Sequence, residues 1–137
     1  MKFYIATRLE RALDHNLVRD TLVVRGHEIT YDWTHHGSVQ RDGTTRIREV
    51  SLAEKRGVLA ADFVVVLLPG GRGTHVELGM AIAAGKPVIL HTQDDELLDT
   101  TNNRTCVFYH DPLVFHAPSI DLAHLWSLCQ RQIWAPF

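Results

Sequence analysis

"ADFVVVLLPGGRGTHVELGMAIAAGKPV", Ala61 to Val88, decides how the chain is read. Phe63 to Leu68 is uncharged and rich in valine, which predicts a strand covered on both faces. Pro69 stops it. Gly70, Gly71 and Gly73 lack a Cβ, so a ligand can approach the main chain and positive φ is open to it. Thr74 is the expected N-cap of a helix that runs to Ala84 and closes at Gly85. "PVILH" from Pro87 to His91 is then the next strand, with proline at its edge.

The same alternation extends outward. "KFYIA" (Lys2 to Ala6) is an apolar first strand, expected at the sheet's centre. Leu9, Leu13, Leu17 and Val24 mark one face of a helix between Arg8 and Arg25, stopped by Gly26. "HEITYDW" (His27 to Trp33) alternates like a strand, and Thr34 to Thr45 is polar loop. Ile47, Val50, Gly57, Val58 and Ala61 trace a second helical stripe. "TCVFY" (Thr105 to Tyr109) is the expected fifth strand, and Pro118 opens a last helix with Leu122, Leu125, Cys129 and Ile133 on one side. Strands alternating with helices predict a single α/β domain over residues 1–137. It is doubly wound, with a mostly parallel five-stranded sheet and helices on both faces, in the Rossmann-like or flavodoxin-like manner. Ligands of such sheets bind beyond the carboxyl ends of the strands, so the loops after Ala6, Trp33 and Leu68 matter most.

Composition narrows the classes. Hydrophobic residues at 45 % and charged residues at 22 % argue against disorder. A net charge of −2 gives no electrostatic case for binding a nucleic-acid polymer or a membrane surface. No apolar run is long enough to span a bilayer, and "MKFYIA" is too short for a signal peptide, so the expected setting is cytoplasmic. Cys106 and Cys129 lie in apolar stretches and are expected as buried thiols. Nine histidines raise a metal hypothesis, but adjacent His35 and His36 point apart, and His110 and His116 are too distant for a helical pair. No metal or cofactor is expected, and His75 is expected in the loop beside a bound phosphate.

The loop after Leu68 is built for an anion. Free amides at a helix start, the positive end of the dipole and the Arg72 guanidinium all favour phosphate. A Walker loop would end in Gly-Lys-Ser/Thr, and a dinucleotide fingerprint would follow the first strand. Neither fits. Glu77 has two readings: the far half of a capping box, Thr74-x-x-Glu77, or a carboxylate kept ionised by the dipole as a nucleophile.

The stretch from Ala61 to Val88 resembles the nucleoside 2-deoxyribosyltransferases and their relatives, the 2′-deoxynucleoside 5′-phosphate N-hydrolases. Their Glu-Leu-Gly-x-Ala run after a glycine loop is matched by Glu77, Leu78, Gly79 and Ala81, and "FYIA" adds to the likeness. "PGGRGTHVE" is also similar to the motif of the cytokinin-riboside phosphate phosphoribohydrolases, whose upstream glycine motif is absent here. The resemblance implies cleavage of an N-glycosidic bond through Glu77 as nucleophile, by the logic of retaining glycosidases. It implies that Tyr4 bonds the nucleophile; the plainer reading is a core aromatic. Glu54 matches a family aspartate that holds the sugar or the nucleophile; its alternative is another capping box, Ser51-x-x-Glu54. A loop aspartate that serves base exchange is Gly71 here, which favours hydrolysis of a nucleotide. Family members are homo-oligomers, so a homodimer or larger assembly is implied, with Asn102 or Asn103 offered by a neighbour or simply solvated.

Thr7 and Arg8 are candidate phosphate contacts, with an exposed helix start as the alternative for Arg8. Trp33 is either a base-stacking residue or part of the core. The expected substrate contacts are therefore Thr7, Arg8, Trp33, Gly70, Gly71, Arg72, Gly73, Thr74 and Asn102, with Glu77, Tyr4 and Glu54 catalytic. The reading from a different class is a non-catalytic nucleotide sensor using the same loop.

Overall fold

The computed structural model describes residues 1–119. Its sheet has five strands in the order β2-β1-β3-β4-β5, where β1 is Lys2–Ala6, β2 Glu28–Ile29, β3 Phe63–Leu68, β4 Val88–Thr92 and β5 Val114–Ala117. Every pairing is parallel. The helices are α1 (Ala12–Val24), α2 (Thr44–Ala60) and α3 (Arg72–Ala83). Order 2-1-3-4-5 reverses direction between β1 and β3, and a crevice opens at that switch point.

Strands β1 and β3 occupy the residues expected of them, and each β3 residue is buried. Alternation along them feeds two cores. Phe3, Ile5, Phe63, Val65, Leu67 and Ile89 pack with Val18 and Leu22 of α1. Tyr4, Ala6, Val64, Val66 and Leu68 pack with Val58 of α2 and Leu78 and Ala81 of α3. Helices thus cover both faces, as expected. Gly26 (φ 90°) and Gly85 (φ 72°) end α1 and α3 in the left-handed conformation that glycine supplies.

Several boundaries differ from the sequence reading. On α1 the expected stripe faces outward: Leu13 is 85 % and Val24 86 % exposed. The buried residues are His15, Val18 and Leu22. Two rows of helical spacing coexist in that segment, and only the sheet chooses between them. The second strand is two residues long, because Asp32 accepts from the Thr34 amide and turns the chain into a 3-10 turn at Trp33–His35. The fifth strand is not Thr105 to Tyr109. Val107–His110 is a 3-10 turn, and Val114–Ala117 pairs with β4 instead. Both segments have strand-like composition; edge pairing decides. Strand β4 begins after Pro87, whose carbonyl accepts from the Val64 amide at 3.0 Å. Cys106 is half-buried. The expected last helix beyond Pro118, with Cys129, lies outside the described residues.

Candidate active site

The crevice lies where β1 and β3 run side by side. Residue parity sends Tyr4 of β1 toward α3, while Phe3 and Ile5 face the other layer. The Tyr4 hydroxyl donates to Glu77 Oε1 at 2.9 Å. Tyr4 is fully buried and Glu77 is 6 % exposed. Glu77 lines a cavity of about 520 Å³ together with Glu54, Thr7, Arg8, Trp33, Gly71, Arg72, Gly73 and Thr74. The three loops singled out from the sequence all reach it.

Local geometry corrects both capping readings. Helix α3 begins at Arg72 with Gly71 as its N-cap, so Thr74 is the third helical residue rather than the cap. The Gly71 amide donates to Thr74 Oγ1 at 3.0 Å. Glu77 therefore sits in the second turn and turns to Tyr4 instead of reaching back. Ser51 lies inside α2, not before it, and cannot cap. None of Gly70, Gly71 and Gly73 has positive φ. Gly70 is needed for another reason: a Cβ there would stand 2.5 Å from Thr74 Cγ2.

Electrostatics overturn a further expectation. Burial, then the neighbouring Glu54 charge, push the Glu77 carboxyl up to about 8 against the opposing Tyr4 hydrogen bond. The dipole does not hold it ionised at neutral pH, because the dipole's influence fades beyond the first turn. Burial and the Glu77 and Glu54 carboxylates raise Tyr4, so it stays a neutral donor. Glu54, half-buried in mid-α2, is raised by burial and partly offset by His36.

The rim carries the cations. Arg72 is exposed, and Arg8 lies 3.9 Å from Glu10 with its side chain 44 % exposed. By helical geometry the amides of Arg72, Gly73 and Thr74 have no intrahelical acceptor. Thr7 donates its hydroxyl to the Leu67 carbonyl at 2.8 Å, so toward a ligand it can only accept. Trp33 is 5 % exposed and its indole N–H donates to the Ile5 carbonyl at 3.0 Å. It is a core residue that also lines the cavity.

Three predicted residues are placed elsewhere. Gly70 lies beneath the wall, against Thr74, and does not line the cavity. Asn102 donates to the Glu96 carbonyl at 3.1 Å and accepts from the Arg104 amide, within a loop held by Arg104 paired to Asp94 and Glu96. It does not reach this chain's pocket. His75 is in α3, not the loop, with its ring between the Gly71 carbonyl and the Tyr109 hydroxyl. The sequence reading missed the far wall: His36 to Gln40, with Ile47, Val50 and Ser51. That segment was legible only as a polar loop. It also missed Arg11, whose guanidinium donates to the Leu68 carbonyl and pairs with Asp14 at 2.9 Å, pinning the end of β3. Among the described residues, no group of three His, Cys, Asp or Glu side chains is placed to hold a metal ion. No helix among them is long and apolar enough to cross a membrane.

A 2-1-3-4-5 parallel sheet with a buried carboxyl at its switch point defines an α/β domain with a ligand site between β1 and β3. Residues 4–111 match the family model described as nucleoside 2-deoxyribosyltransferase, and the chain belongs to that family. It is thus an enzyme of the N-glycosidase and deoxyribosyltransferase class rather than a non-catalytic sensor. Its fold is similar to that of the CMP N-glycosidase BcmB of Clostridium botulinum, with a TM-score of 0.62 and 14 % identity, covering 95 % of this chain and 99 % of that one. It is also similar to a conserved protein from Enterococcus faecalis V583, with a TM-score of 0.55 and 22 % identity, covering 93 % of this chain and 87 % of that one. No curated protein matches the sequence.

Proposed function

We propose that the protein cleaves the N-glycosidic bond of a nucleoside or (deoxy)nucleoside 5′-monophosphate, with water as the favoured acceptor. One observation carries this reading: Glu77, 6 % exposed and bonded to Tyr4, lines the cavity whose rim holds Arg8 and Arg72. Ionised Glu77 attacks the anomeric carbon opposite the base. The C–N bond breaks, its electron pair goes to the base nitrogen, and that nitrogen takes up a proton. Water then attacks the glycosyl ester, freeing the sugar and restoring the carboxylate, while its proton leaves to solvent. Tyr4 donates to the nucleophile, and Glu54 holds a sugar hydroxyl or the mobile proton.

A 5′-phosphate fits the rim. Arg72, Arg8 and the free amides of Arg72, Gly73 and Thr74 supply donors to a dianion. The Gly71 amide is already committed to Thr74 and contributes shape only. The name of the Clostridium botulinum relative supports a nucleotide substrate. Gly71 supports hydrolysis, since no carboxylate stands there to serve base exchange. We also propose a homo-oligomer in a cytoplasmic setting. Asn102 is spent on its own loop, and Leu13, Leu17 and Val24 leave α1 with an exposed apolar face.

The test is incubation with a panel of nucleosides and 5′-monophosphates while watching for free base. Release from wild type and none from Glu77→Gln, which still binds, supports the reading. Release that survives in Glu77→Gln rejects the glutamate mechanism. Base exchange outpacing hydrolysis when a second base is added would make it a transferase. Light scattering at several concentrations tests assembly.

A further inference from the structure

Behind the pocket wall a second pair of side chains grips the glycine loop, and neither lines the cavity. The two peptide groups flanking Gly71 are both held. The Gly71 N–H donates to Thr74 Oγ1 at 3.0 Å, and its carbonyl accepts from His75 Nδ1 at 2.7 Å and more weakly from the His75 amide at 3.3 Å. A carbonyl only accepts, so His75 carries its proton on Nδ1. In the neutral ring Nε2 then accepts from the Tyr109 hydroxyl, 2.6 Å away. Tyr109 is 5 % exposed, in the 3-10 turn Val107–His110. That turn is fixed in its own right, because His116 Nε2 of β5 donates to the Tyr109 carbonyl at 2.7 Å. Tyr109 thus links β5, through its carbonyl, to His75, through its hydroxyl, and His75 reaches Gly71, which lines the same cavity as Glu77.

We propose that His75 and Tyr109 are positioning residues that lock the Gly71 carbonyl, and with it the glycine-loop wall, in the orientation that receives a 5′-phosphate. This rests on the nucleotide reading above. With the carbonyl turned back toward His75, the Arg72 N–H of the same trans peptide points the opposite way. With only the longer bond from the His75 amide left, the Gly71–Arg72 peptide is freer to rotate and present an oxygen, which repels an anion. The burden falls on phosphorylated ligands and spares chemistry at Glu77.

Calorimetric titration with ribose 5-phosphate and with ribose, alongside base release from the substrate panel, tests this. His75→Ala is expected to raise the Kd for ribose 5-phosphate at least about tenfold, the size of one lost charge-assisted hydrogen bond, with ribose unchanged. Its KM for a monophosphate should rise with kcat little altered. Tyr109→Phe should act in the same direction but less. His75→Asn can place an amide N–H where Nδ1 stood and should recover most of the loss. His75→Gln, which reaches toward Tyr109 instead, should not. A brace that merely joins α3 to the turn predicts the opposite ranking of Asn and Gln, or equal losses for both ligands, and either result overturns the proposal. So does a wild type that binds ribose 5-phosphate no better than ribose. A wild type that binds the phosphate but releases no base rejects the glycosidase reading alone, and the Kd series still decides the clamp.

Discussion

The two faces of the sheet are built from the same strands to opposite ends. Toward α1, Phe3, Ile5, Val65 and Leu67 meet Val18 and Leu22 in hydrocarbon contact. Toward α2 and α3, the neighbouring positions of the same strands bury a phenol, and beside it a carboxyl that burial has pushed up to about 8. The first face packs strand and helix hydrocarbon together around Val18 and Leu22. The second accepts a group that would be cheaper in water, because a desolvated carboxyl is worth more to chemistry than to stability. One face holds the fold and the other uses it.

Removing the carboxyl should break that contrast most severely. Glu77→Gln is expected to slow base release by about a thousandfold or more, as loss of a nucleophile does, while ligand Kd changes little. It should also raise the melting temperature. The folded pKa of Glu77 lies above its ordinary carboxylate value. Its contribution to stability is therefore fully present at acid pH and is lost as pH rises toward and through about 8. The gain in the glutamine variant should then be larger at pH 9 than at pH 5, as read by thermal melts; no gain at either pH would reject the buried-acid account.

The pH profile is next in size. Attack needs the ionised carboxylate, so kcat/KM should climb about tenfold per unit below the midpoint near 8 and level above it. A profile flat from pH 6 to 9 would mean another group carries the reaction. Tyr4→Phe sharpens the point. Losing the donor removes the one effect holding Glu77 down, so the midpoint should move up and activity at pH 7 fall by about tenfold. The smallest effect on activity belongs to the silent face. Leu22→Ala, at a residue 1 % exposed, should cost about 2–5 kcal/mol in denaturant unfolding and leave kcat unchanged.

The legible parts of the molecule were those where local pattern and burial agree. Phe63 to Leu68 is apolar at every position, so no choice of face was needed to find β3, and Gly85 marked the end of α3 by its own conformation. The α1 segment carries two rows at helical spacing, and the one with Val18 and Leu22 facing Phe3 and Ile5 won. Strand β5 was misplaced because Thr105 to Tyr109 and Val114 to Ala117 look alike until one of them pairs with β4. Glu77 and Tyr4 were named through a family likeness, not through spacing, and their contact spans 73 residues. Thr74-x-x-Glu77 looked like a capping box, but the true start of α3 at Arg72 moved both residues inward.

By itself the sequence determined the order of strands and helices, the buried central strands and the glycine turn at their carboxyl ends. Those follow from short-range rules: side-chain periodicity, β-branching and the steric freedom of glycine. Only the tertiary structure decided which face of α1 is inside, which segment closes the sheet, and that the Glu77 carboxyl is half of a buried pair with Tyr4. Such choices depend on partners distant along the chain, and burial sets the charge of a carboxyl only once those partners have enclosed it.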